Sequence, residues 1–263
     1  MSFVLTVGLL CAGLFGGVLL AFELGRRIGL RRLAKEPSGV LGGTGVIEAA
    51  VLALLGLLIA FTFSGATSRF DARRQLIIDE TNAISTAYLR LDLLLPDARP
   101  ALRTSFRGYL DSRIETYRKV PDLAAVRAEL ARGAAIQAEI WQRAVVASSE
   151  APAPAGMLLL AALNQMFDIA NTRTLAAWIH PPTTIFVMLG ALVLVASCFA
   201  GHSTAASKMH SWVHVFGFAL VISVAVYVIV DIEYPRMGFI RVDAFDRALV
   251  ELRQTMGDAS AQR

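Results

Sequence analysis

The chain has 263 residues, of which 56% are apolar and only 17% charged, and its mean hydropathy is +0.57. Soluble domains average about 45–50% apolar and about 25% charged residues, which excludes disorder and disfavours an ordinary cytosolic enzyme. The formal net charge of +4 is spread out with no basic block interleaved with aromatics, which argues against nucleic acid as a partner, and Cys11 and Cys198 lie inside long apolar runs where no disulfide framework forms.

In chain order, residues 3–22 form an uncharged run long enough to cross about 30 Å of hydrocarbon as a helix. It has no basic start, exceeds a signal-peptide apolar core, and ends at Glu23, Arg26 and Arg27 without a small-residue cleavage site, so it reads as a retained anchor. Small residues recur along it every four positions at Gly13, Gly17, Ala21, Gly25 and Gly29. Such a ladder lets helix backbones touch in lipid, first within one chain and second between copies. A basic loop follows (Arg26, Arg27, Arg31, Arg32, Lys35), then a turn-rich stretch, PSGVLGGTG. Its Gly42–Gly45 cluster lacks the Lys-Ser/Thr of a phosphate loop and reads as a flexible lead into the next span.

The second span covers residues 46–66, with Glu48 near its start and a looser small stripe of Ala49, Ala53, Gly56, Ala60 and Ser64. Opposite lie Val51, Leu55, Leu58, Ile59 and Phe63, which either face lipid or line a hydrophobic constriction around a shared axis. Beyond it the same helix runs on amphipathically: Phe70, Ile77, Ile84 and Leu91 recur every seven residues, with Tyr88 and Leu95 as a second line. Arg69, Arg73 and Arg74 sit one turn outside the membrane, as headgroup anchors or as cations drawing anions toward an axis.

Three more amphipathic helices are expected before the third span. Residues 101–119 carry Leu102, Phe106, Leu110, Ile114 and Tyr117, and residues 122–147 carry Val126, Leu130, Ile140, Trp141 and Val145, with Asp122 as cap. Residues 157–180 form a greasy helix whose Asn164, Asp168 and Asn171 share a face at i, i+4 and i+7, with Arg173 and Trp178 following. Polar groups in such a helix satisfy one another in a core network, or else contact an ion or ligand. After Pro181 and Pro182 come the third span (183–200), the fourth (212–230) and a short tail of mixed charge.

No chain of ionisable groups crosses the bilayer and no proline breaks a span, which disfavours a proton pump and a transporter with discontinuous helices. His210 and His214 have the spacing of a zinc pair, but HSWVH lacks a metalloprotease glutamate; they read as interfacial histidines. No nucleophile elbow or other catalytic constellation is present, so neither an enzyme, a metal nor a cofactor is expected. Basic residues within about 20 positions of the membrane nearly tie between its two sides, so charge does not set the orientation.

Four stretches carry a family resemblance: LLIAFTFSGATSRFDARRQLIIDETNAISTAYL, LNQMFDIANTR, PPTTIFVMLGAL and DIEYPRMGFIRV. The chain resembles the bacterial bestrophin-like membrane proteins over nearly its whole length, and its Arg69-Phe70 pair is similar to the Arg-Phe pair where the bestrophin pore helix leaves the bilayer. Bestrophins are pentameric anion channels with a pore narrowed by apolar side chains and a cytoplasmic domain between spans. The resemblance therefore implies a constriction at Val51, Leu55 and Ile59, continued by Phe63; no calcium clasp of clustered acids is evident in the tail.

The expected fold is all-α: a multi-pass protein of the plasma (inner) membrane with four transmembrane helices. Residues 1–66 hold the first two, 67–182 an inserted amphipathic helical domain, 183–230 the last two, and 231–263 the tail. The expected function is a homo-oligomeric channel for small anions, with the lipid bilayer and further copies as partners. The alternative is a non-conducting membrane scaffold or sensor.

Overall fold

A computed structural model of the chain describes residues 3–35, 45–206 and 212–261. The described residues are helical throughout, with no strand. Eight α-helices follow one another: α1 (Phe3–Lys35), α2 (Gly45–Arg90), α3 (Arg99–Arg118), α4 (Leu123–Glu150), α5 (Ala153–Ala176), α6 (Thr183–Ser203), α7 (Trp212–Glu233) and α8 (Asp243–Ala261). Local chemistry sets several boundaries. Asp122 caps α4, its Oδ1 accepting from the N–H groups of Ala124 (3.0 Å) and Ala125 (3.1 Å). Pro154 lies in the first turn of α5 and Pro182 precedes α6, where a missing N–H costs nothing.

The chain divides into two compact units: Met1–Arg69 with His180–Phe239, and Phe70–Ile179 with Ile240–Arg263. In the first unit α1 packs against α6 and α7. Its apolar cluster joins Val18 of α1, Leu55 of α2, Leu189, Val193 and Ala196 of α6, and Ala219 of α7. In the second unit the seven-residue line of Ile77, Ile84 and Leu91 is fully buried. Ile84 and Leu91 join Leu102, Phe106, Tyr109 and Leu110 of α3, Ile140 and Ala144 of α4, and Leu159, Leu163 and Met166 of α5 in one cluster. Leu249 and Met256 of α8 join this cluster, so the C-terminal stretch is a packed helix of the second unit. Each aliphatic side chain so enclosed contributes about 1.5–3 kcal/mol by leaving water.

Five helices are long and apolar enough to cross a membrane by length and composition: Phe3–Lys35, Gly45–Leu93, Ala153–Ala176, Thr183–Ser203 and Trp212–Glu233. That is one more than the four expected. The addition is α5, the least apolar of the five.

Candidate functional site

The membrane portion of α2 has two unlike faces. Its packed face carries Glu48, Leu55 and Ala66 as buried residues, flanked by half-buried Val51, Leu58, Ile59 and Thr62. Leu55 is 2% exposed, and Val51, Leu58 and Ile59 pack against the cluster it belongs to. The opposite face carries Ala50, Ala53, Leu57, Phe61 and Ser64, all exposed, with Leu57 at 51% and Phe61 at 66%. The stripe expected to face lipid or a constriction is therefore the one turned onto the chain's own helices, and the small-residue stripe is turned outward. A side chain enclosed like Leu55 presents no surface to a lumen; of the four candidates only Phe63 is exposed. Periodicity identifies a stripe but not which of two stripes a neighbour covers.

Arg69, at the foot of this segment, is engaged rather than free. Its Nε donates to Glu233 Oε2 at 2.9 Å and its second guanidinium nitrogen reaches the same oxygen at 2.8 Å. Glu233 is completely buried at the end of α7 and also accepts from His180 Nδ1 at 3.1 Å. A carboxylate only accepts, so His180 carries its proton on Nδ1 in this contact. The imidazole also stacks on Tyr234, with ring centroids 4.4 Å apart. Asp231, two residues earlier, is buried and accepts the backbone N–H of Phe239 at 3.0 Å. Thus the DIEYPRMGF stretch ties the middle of α2 and the end of α7 to the lead into α6 through one carboxylate.

The other two arginines of the trio lie in the second unit. Arg73 donates to the carbonyls of Ala176 (3.2 Å) and Ile179 (2.9 Å), at the C-terminal end of α5 where carbonyls lack helical partners. Arg74 pairs with Asp71 at 3.0 Å and lies 4.3 Å over the ring of Phe245.

The second unit also encloses a charge cluster that sequence reading missed. Glu80 of α2 is fully buried between Arg113 of α3 and Arg173 of α5, each donating to it at 2.5 Å. Arg173 also donates to Asp246 of α8 at 2.6 Å and lies 3.7 Å over the Tyr117 ring. Burial alone would raise the Glu80 pKa, but the two guanidinium charges outweigh it and hold the carboxyl below the usual carboxylate range. Each member falls on the apolar stripe of its own helix: Glu80 between Ile77 and Ile84, Arg113 beside Ile114, and Arg173 in line with Met166 and Ala170. A charge on an apolar stripe is the signal that could have found them.

The polar face of α5 is a correction. Asn164, Asp168 and Asn171 are exposed, not joined in a core network; only Arg173 points inward. Because α5 buries Leu159, Leu163 and Met166 on one side, the residues at i, i+4 and i+7 from Asn164 fall on the other.

The glycine ladder of α1 divides. A methyl placed on Gly25 would lie 1.8 Å from the carbonyl oxygen of Cys198, and one on Gly201 would lie 1.9 Å from that of Phe22. α1 and α6 therefore touch backbone to backbone, which only glycine permits at these two positions. Gly17 meets Leu194, Ala21 is half-buried, and Gly13 faces open space. Gly42, Gly43 and His210 lie outside the described residues.

A family model described as a bestrophin-like domain matches residues 12–244, from within α1 to the start of α8. The chain belongs to the bestrophin-like family. Its fold is similar to that of a bacterial bestrophin homolog from Klebsiella pneumoniae with a mutation, at a TM-score of 0.66 and 14% identity over 90% of this chain and 98% of that one. No curated protein sequence matches it. As a bestrophin-like protein with several long apolar helices, it is a multi-pass membrane protein.

Proposed function

We propose that this bestrophin-like chain is one subunit of a homo-oligomeric channel for small anions in the plasma (inner) membrane, with α2 facing the shared axis. The observation that carries the reading is the match of the bestrophin-like domain across nearly the whole chain. The chain then crosses the membrane four times, with α5 outside the bilayer. In support, α5 is the least apolar of the long helices and turns Arg173 into a cluster with Glu80 and Asp246.

A face that lines a lumen must be uncovered in the single subunit. On the face of α2 opposite Leu55 that condition selects Ala53, Leu57 and Phe61, spaced at four, while the exposed Phe63 lies on a different side of the helix. An apolar throat of this kind holds water weakly and gates by dewetting, while fixed cations at its mouth favour anions. Arg69, Arg73 and Arg74 are the candidates for those cations: Arg69 shares its charge with Glu233 and Arg74 with Asp71, while Arg73 is held by backbone carbonyls.

The test is anion flux from liposomes containing purified oligomer. Leu57→Trp reduces flux and Phe61→Ala raises it, whereas Val213→Trp, on an exposed face of α7, changes neither. Absence of flux from folded oligomer under every pH and calcium condition would favour a second reading, a scaffold or sensor whose exposed Asn164, Asp168 and Asn171 bind a partner.

A further inference from the structure

We propose that the exit of α1 is a seat for an acidic phospholipid, with the headgroup phosphate on Arg27, Arg31 and Lys35 and an acyl chain along Leu20, Leu24 and Ile28. A helix of 33 residues is about 50 Å long, against about 30 Å of hydrocarbon, so the last third of α1 lies at headgroup depth. From Glu23 onward α1 holds five cations against that one carboxylate, which accepts from Arg26 at 2.9 Å and Arg27 at 2.8 Å. Arg31, Arg32 and Lys35 are exposed and have no ion pair among the described residues. The other acid at this end, Glu48, is buried 3.6 Å from His202.

The second observation is the alignment of charge with apolar surface. Gly25 and Gly29 turn one side of α1 onto α6 and the 3-10 turn after it, so the helix end is fixed rather than dangling. The other side is open: Leu20, Leu24 and Ile28 are 74%, 57% and 48% exposed. At 100° per residue, Arg27, Arg31 and Lys35 continue that same side upward at i, i+4 and i+8. Charge complementarity selects an anionic headgroup, and the lane beneath selects a lipid over a soluble phosphate. This assignment depends on α1 lying in the membrane and not on conduction.

The experiment is native mass spectrometry of the full-length protein released from micelles holding equal phosphatidylglycerol and phosphatidylcholine. Wild type retains phosphatidylglycerol preferentially. The triple variant Arg27→Gln/Arg31→Gln/Lys35→Gln loses the preference, by about fivefold for each cation that contacts the phosphate. A variant of equal charge change in the second unit, Arg127→Gln/Arg132→Gln/Arg247→Gln, keeps it. Leu24→Asn, which retains all the charges, weakens retention of the lipid while leaving that of glycerol phosphate unchanged. Equal preference in wild type and triple variant, equal loss in both triple variants, or retention of glycerol phosphate as strong as that of the lipid overturns the proposal. The single variant Arg31→Gln supplies the same comparison if the triple variant does not purify as an oligomer.

Discussion

Glu80 is the buried counter-ion shared by two guanidinium groups, and its removal is therefore costly in a way that a surface acid's is not. Glu80→Ala leaves Arg113 buried without a carboxylate and Arg173 with Asp246 alone, and should destabilise the second unit by about 3–5 kcal/mol, read as a lower thermal midpoint in detergent. Replacing Arg113 and Glu80 together, by Met and Leu, should cost less than Glu80→Ala alone, because Arg113 is then not stranded and Arg173 keeps Asp246 as its partner. Acid reports on the same group. Its folded-state pKa lies below its ordinary value of 4.5, so the unfolded chain binds the proton first. The stability it supplies is complete above that value and is lost as pH falls toward the folded pKa. A plot of thermal midpoint against pH should thus drop more steeply below about pH 4.5 in wild type than in the Glu80→Gln variant.

Among the helices, the tightest junction is that of α1 with α6. Gly25→Leu and Gly201→Leu each drive a side chain into opposing backbone, and should abolish oligomer recovery or lower the midpoint by well over the ~1–3 kcal/mol of ordinary overpacking. Gly13→Leu, with open space around it, should be neutral to size-exclusion profile and midpoint alike. The contrast separates what sequence can and cannot say. The four-residue spacing of glycines marks a packing ladder, and the seven-residue line from Phe70 to Leu91 marks a buried seam, because both are properties of one helix. Which rungs are used depends on where α6 crosses. The facing of α2 was equally out of reach, since its Leu55 stripe and its Ala53 stripe differ in size but not in polarity. Asn164, Asp168 and Asn171 share one face under either reading, and only the burial of Leu163 and Met166 shows that the face is outward. The Glu80 cluster draws on α2, α3, α5 and α8, so a charge on an apolar stripe can mark a member within its own helix but not show that the members meet.

For the whole molecule, the family assignment makes the sidedness of residues 67–182 a measurable quantity. In a chain whose Cys11 and Cys198 are replaced by alanine, Ala135→Cys, on an exposed turn of α4, should be protected from membrane-impermeant maleimide in intact cells and labelled after lysis. Labelling in intact cells would put the second unit outside and reverse the bestrophin arrangement. The glycine contact between α1 and α6 has a temporal side as well. These two partners are separated in the chain by α2 through α5, so at about 5–20 residues per second the ribosome releases α6 on the order of 10 s after α1. Throughout that interval the Gly25–Gly29 groove of the nascent chain lacks its α6 partner, and another newborn α1 offers the same ladder of small residues. Neighbouring chains translated from one message are thereby brought into a brief competition between pairing with each other and waiting for their own α6; a chain stopped after Ile179 should remain in the first of these states and run as a dimer that Gly25→Leu dissolves.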